Sequence, residues 1–156
     1  MAELLSTGAP VLWLVLLRVA LGLVWLRSWF FKVVRREERD FGQQIEGYMS
    51  RNPFPWYRAF LGRFVLPHRS WAGRVFTSAE LVLGLALVLG LLTTPAALVG
   101  SFLNLNFRLA AGWRSPSTTP LNYLMIICQL LVVLSGAGDH ASADALLFAA
   151  RGAGAG

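Results

Sequence analysis

Residues 10–32 form an apolar run broken only by Arg18, Arg27, Ser28 and the closing Lys32, and no other feature constrains the fold as strongly. Wound as an α-helix, the run reaches about 35 Å, enough to cross a hydrocarbon core about 30 Å thick with little to spare. Ser6 or Thr7 can cap it, and Pro10 has the backbone angle of a first helical turn. The run is too long for the core of a signal peptide and lacks both a preceding basic stretch and a small-residue cleavage site. It reads as a membrane-spanning helix of the mature protein.

The rest of the chain has the same character. Of 156 residues, 56% are hydrophobic and 14% charged, a balance outside that of a soluble domain. Further spans are expected at 75–92, 95–111 and 121–134, the middle two joined by a tight turn at Thr93-Thr94-Pro95 into an antiparallel hairpin. Gly136-Ala137-Gly138 supplies a helix stop. A short interfacial helix is expected over 142–150, followed by a disordered Gly-Ala tail after Arg151. The expected fold is all-α: an integral membrane four-helix bundle forming one domain over 1–156, with an amphipathic interfacial segment between helices 1 and 2.

That segment, residues 33–74, holds most of the charge. With Lys32 at its edge, Arg35, Arg36, Arg39, Arg51, Arg58, Arg63, Arg69 and Arg74 make nine of the fourteen basic residues, interleaved with Phe54, Trp56, Tyr57, Phe60, Phe64 and Trp71. Cations alternating with amphipathic aromatics mark a membrane–water interface. A net charge of +6 concentrated here fits anionic lipid headgroups better than nucleic acid. Asn52-Pro53-Phe54-Pro55 reads as a turn, and residues 56–66 carry apolar side chains at helical spacing with Arg58 and Arg63 off the stripe. By the positive-inside rule the loop is cytoplasmic and both termini are outside.

Polar side chains within the spans carry the functional expectation, because a polar group in hydrocarbon normally has a partner or a task. Arg18, Gly22, Trp25, Trp29 and Lys32 share one face of the first helix. In the hairpin, residues whose numbers sum to about 187 lie at one height, which sets Glu80 beside Asn106 and Arg108 and predicts a Glu80–Arg108 ion pair. Two polar layers are expected, a deep one of Arg18, Asn104 and Gln129, and one nearer the loop of Glu80, Asn106, Arg108 and Asn122, with Arg27 or Lys32 as a further candidate for it. Simpler roles compete with these. Arg27, Lys32 and Arg108 lie near enough to span ends to snorkel, and the amides can merely bridge helices. Cys128 is the only cysteine and reads as a small apolar residue; His68 and His140 lack metal-ligand spacing, and no metal or haem motif is seen.

The run Leu17-Arg18-Val19-Ala20-Leu21-Gly22-Leu23-Val24-Trp25-Leu26, ending near Lys32, resembles the first-helix signature of the DoxX/DoxD superfamily. The resemblance is closest to the DoxD group, the small subunit of thiosulfate:quinone oxidoreductase. It continues through Asn52-Pro53-Phe54-Pro55-Trp56-Tyr57, Pro67-His68, Ala79-Glu80-Leu81-Val82-Leu83-Gly84, Leu89-Gly90-Leu91-Leu92-Thr93, Asn104-Leu105-Asn106 and Gly136-Ala137-Gly138, and spans roughly Leu17 to Asp144. The departures are Trp29 or its neighbours where a glycine usually precedes the first-helix lysine, Thr94 in place of an arginine, and Ala143-Asp144 where Gly-Leu-Asp is usual.

The resemblance implies a membrane subunit of a quinone-linked system that oxidises thiosulfate to tetrathionate, and Arg18, Lys32, Glu80 and Asn106 match the family's polar positions. A quinone headgroup needs one or two hydrogen-bonding groups at the edge of an aromatic-walled cleft. Glu80 and Arg108 are the expected catalytic pair, with Arg18, Trp25, Trp29, Lys32 and Asn106 around the quinone. With one cysteine and no evident metal or flavin motif, the chain needs direct chemistry at the quinone or a separate partner subunit, and a partner subunit or a homo-oligomer is the expected assembly. A non-catalytic assembly subunit and a small-solute carrier are the competing functions.

Overall fold

The computed structural model describes residues 9–34, 40–112, 118–136 and 142, which are helical with no strand among them. Helix α1 is Ala9–Val33, α2 Phe41–Ser50, α3 Pro55–Phe60, α4 Arg69–Leu89, α5 Thr93–Phe107 and α6 Thr118–Leu134. The expected caps at Ser6 and Thr7, the basic cluster Arg35, Arg36 and Arg39, the 142–150 helix beyond Ser142 and the Gly-Ala tail lie outside the described residues.

Two helical stretches are long and apolar enough to cross a membrane: Leu12–Val33 and the continuous rod Pro55–Leu89. The rod's 35 residues reach about 50 Å, well beyond a hydrocarbon core, so its first part must lie outside one. Between α3 and α4 the backbone passes without a break through a π turn, Leu61–Val65, and a 3₁₀ turn, Leu66–His68. Pro67 lies in that transition, where its missing N–H would interrupt an α-helical ladder.

Helix α1 packs along α4, and α5 along α6. The α1–α4 contact depends on Gly22 and Gly84. A Cβ placed on Gly22 would lie 2.8 Å from the Gly84 carbonyl oxygen and 2.9 Å from the Val88 nitrogen, both backbone atoms. A Cβ on Gly84 would meet mainly the Leu26 side chain, at 2.6 Å. Gly22→Ala is therefore expected to force the helices apart at a cost of about 1–3 kcal/mol, and Gly84→Ala to cost less because Leu26 can turn aside. Unfolding of the two variants in detergent measures this, and equal losses would show that the contact yields at both residues.

The hairpin turn lies earlier than expected. Gly90, with φ of 70°, takes the left-handed conformation at the end of α4, and the Leu91 N–H bonds back to the Ala86 carbonyl at 2.8 Å. Leu92 is also left-handed, with φ of 47°, so the turn is 90–92, and Thr93-Thr94-Pro95 is already the first turn of α5. There the missing N–H of Pro95 costs no hydrogen bond. Gly136 ends α6 with φ of 63°.

Polarity runs opposite to that of a soluble protein. Arg18, Glu80, Thr93, Asn104 and Gln129 are buried, while Leu16, Leu23, Val82, Leu85, Leu98, Phe102, Leu124, Ile127 and Leu131 face outward. Water would penalise such an apolar exterior; hydrocarbon would not.

Residues 33–74 fold more than a surface strip would. Helix α2 was not expected, yet Phe41, Gln44, Ile45 and Tyr48 repeat at helical spacing, and Ile45 is buried against Tyr57, Leu61 and Ala110. The expected amphipathic helix is present but divides its apolar residues between two faces. Tyr57 and Leu61 turn into the protein, whereas Trp56, Phe60 and Phe64 remain exposed together with Arg58 and Arg63. The turn at Asn52 fastens this lobe to the bundle: the Asn52 side-chain amide donates to the Leu109 carbonyl at 2.9 Å, and its oxygen accepts the Phe54 N–H at 2.9 Å. The Leu109 carbonyl belongs to a π segment, Arg108–Gly112, that continues α5.

Candidate functional site

Lys32 and Ser28 lie one helical turn apart on α1, and both reach across to Glu80 on α4. The Lys32 ammonium donates to Glu80 Oε1 at 2.7 Å, and the Ser28 hydroxyl donates to the same oxygen at 3.2 Å. Glu80 is fully buried; the Lys32 side chain is 21% exposed. A short charge-assisted bond of this kind is stronger than a neutral one, and it offsets the desolvation that burial imposes on the carboxylate.

The pair borders a cavity of about 410 Å³. Its walls come from helical faces: Phe41, Gln44, Ile45 and Tyr48 of α2, Gly73, Phe76, Thr77 and Glu80 of α4, and Phe102, Asn106 and Phe107 of α5. Tyr57, Phe60 and Leu61 close it from the α3 side. The Lys32 ammonium lies 5.6 Å from the centre of the Phe107 ring, a cation–π distance, and that ring packs against Trp25 and Phe76. The Tyr57 hydroxyl donates to the Asn106 backbone carbonyl at 3.2 Å and approaches its side-chain oxygen at 3.4 Å, while the Asn106 amide donates to the Phe102 carbonyl at 2.8 Å. The space is mostly aromatic, with a buried charge pair and a few amide and hydroxyl groups in its walls. That combination suits a flat conjugated ring bearing carbonyl acceptors.

The hairpin arithmetic set Glu80 at the height of Asn106 and Phe107, and all three line the cavity. The expected Glu80–Arg108 ion pair is corrected: the partner of Glu80 is Lys32, and the Arg108 guanidinium lies 5.3 Å from the Tyr123 ring centre on α6. Arg108 opens the π segment, whose wider turn changes the direction in which side chains leave the helix axis. Arg108 is outside the cavity lining, as are Arg18, Trp25 and Trp29, whereas Lys32 and Asn106 are within it. Trp25 is a buried core residue under Phe107.

The expected deep polar layer also divides. Asn104 donates to Gln129 at 3.2 Å and to the Gly100 carbonyl at 3.2 Å, a buried bridge between α5 and α6. Arg18, 1% exposed, extends instead to the end of α4, where its guanidinium crowds Gly90 and adjoins Ser142. A cation there faces the carbonyl end of a helix, where its charge is favourable. Among the described residues, no three His, Cys, Asp or Glu side chains converge as a metal site would require.

The sequence profile of the family described as TQO small subunit DoxD matches residues 13–152. The chain belongs to the DoxD family. It is thereby a small subunit of the thiosulfate:quinone oxidoreductase type, a quinone-linked enzyme, and the DoxD role implies a partner subunit. No curated protein and no solved structure matches the chain. The DoxD match covers both the α1–α4 pair that carries Lys32 and Glu80 and the lobe that closes the cavity over them.

Proposed function

We propose that this cavity binds the headgroup of the quinone that the DoxD-type enzyme reduces, with Lys32 and Glu80 as its working groups. The observation that carries the reading is the 2.7 Å Lys32–Glu80 pair, buried at the border of an aromatic-walled space of about 410 Å³. That volume lies within the range of pockets that enclose a small organic ligand. Reduction of a quinone to a quinol takes up two electrons and two protons, and oxidation of two thiosulfates to tetrathionate releases two electrons. The Lys32 ammonium donates a hydrogen bond to a carbonyl oxygen of the headgroup, favouring negative charge there, and Glu80 Oε1 holds the ammonium in position. Lys32 Nζ passes one of the two protons to that oxygen and is reprotonated from the loop side, and the other carbonyl oxygen takes the second proton from water on that side.

The test is equilibrium binding of a short-tailed quinone to the full chain with its partner subunit. Lys32→Gln is expected to weaken binding about tenfold, one hydrogen bond to a charged group, and Arg108→Gln to leave it unchanged. The opposite pattern would return the site to Arg108.

We further propose a four-span bundle built from α1, the α4 part of the long rod, α5 and α6, with residues 33–74 cytoplasmic and both termini outside. The outward apolar side chains of all four helices support the spans, and the arginines of the loop support the orientation. Reporter fusions at Arg51 and Gly156 are expected to read cytoplasmic and external respectively. A cytoplasmic signal from Gly156 would overturn the topology.

A further inference from the structure

We infer that the cavity is entered sideways from the bilayer, between α3 and α5, and that the ligand's apolar tail passes out between Phe60 and Phe102. This rests on the quinone reading of the cavity and adds to it a route and a tail.

Among the described residues lining the cavity, only Phe60 and Phe102 are exposed, at 42% and 63%; the others are buried or half-buried. Both exposed residues are apolar, and they stand on different helices, as the two sides of an opening would. The surface around them is apolar as well. Phe102 shares the outer face of α5 with Leu98, Val99 and Leu105, and Phe60 stands between Trp56 and Phe64 on the exposed face of the α3 rod. The opening therefore lies where the bundle meets the membrane interface, with Phe102 on the hydrocarbon side and Phe60, flanked by the exposed Arg58 and Arg63, at headgroup level, so a lipid-borne ligand reaches it without leaving the bilayer.

Size points the same way. A space of about 410 Å³ takes a ring and its substituents, but not also an isoprenoid chain of several units. With Glu80 fully buried, the charge pair lies at the inner end and the phenylalanines at the outer. A ligand with a polar ring and a long apolar tail fits that polarity in one orientation only, ring inward.

The test uses the full complex in phospholipid vesicles and two photoreactive long-tailed quinones, one carrying a diazirine on the ring and the other in mid-tail. The ring probe is expected to label peptides containing Ser28 to Lys32 and Thr77 to Glu80. The tail probe is expected to label Phe60, Phe102 and their outward neighbours, and excess unlabelled long-tailed quinone should lower both signals about tenfold by mass action. Ring labelling in the cavity combined with tail labelling at Gln44 or Tyr48 would overturn the sideways route while leaving the quinone site standing. Absence of ring labelling from the cavity would overturn both.

Discussion

Lys32→Met is expected to destabilise the folded chain by about 3 kcal/mol, the lower part of the range for breaking a buried pair from one side. Glu80 has no exposure, so loss of the ammonium takes a 2.7 Å charged bond from a carboxylate in the interior, and the Ser28 bond at 3.2 Å is too weak to replace it. The 21% exposure of Lys32 is the reason to expect the lower part of the range, since solvent or headgroups already screen that end. The double variant Lys32→Met with Glu80→Met removes both charges while keeping comparable volume, and should recover most of the loss. Unfolding in detergent micelles, followed through the single variants and the double, measures the coupling. A Lys32→Met protein as stable as the parent would mean that the pair contributes nothing to the fold.

Glu80→Gln is expected to leave the subunit assembled yet to lower quinone-dependent turnover by about two orders of magnitude, the smaller end of what a positioned acid–base group supplies. The amide keeps the shape of the carboxylate and can still accept from Lys32 and Ser28, so packing against α1 survives. What it removes is the negative charge that holds the ammonium in place. Co-purification with the partner subunit reports assembly, and thiosulfate-dependent quinone reduction reports turnover. Normal turnover in an assembled Glu80→Gln complex would favour the reading of this chain as a non-catalytic assembly subunit.

The inward face of α1 and the height of Glu80 were legible in the sequence alone. The i, i+4, i+7, i+11, i+14 spacing of Arg18, Gly22, Trp25, Trp29 and Lys32 placed them on one face of α1, and Arg18, Gly22 and Trp25 are buried there, with Trp29 and Lys32 half-buried. The hairpin sum of residue numbers found the height of Glu80, because two antiparallel helices joined by a short turn have one register. It did not find the partner, because height leaves rotation about the axis open, and Arg108 opens a π segment that an α-helical wheel cannot represent. Lys32 looked equally able to snorkel to headgroups. Only the third dimension shows α1 lying against α4 with the ammonium directed inward. Helix α2 was hidden by its setting: Phe41, Gln44, Ile45 and Tyr48 make a short stripe beside a dense run of arginines that dominates the composition of the loop. The role of Asn52 was equally out of reach, since its partner at Leu109 is distant in the chain and a turn motif does not announce a tertiary acceptor.

The two π turns, Leu61–Val65 in the long rod and Arg108–Gly112 after α5, contribute Leu61 and Ala110 to the same small core beneath the lobe. Each π turn amounts to one residue inserted into an α-helix, so the angular phase of everything beyond it is offset by about 100° relative to an uninterrupted helix. In the rod this offset lies between Tyr57, which closes the cavity, and Glu80, which charges it. The cavity therefore depends on a count of residues as much as on their identity. Loss of a single residue between 61 and 65 would swing Tyr57 and Phe60 around the axis by more than a quarter turn relative to Glu80. Conservative replacement at any one of those positions would leave the phase untouched.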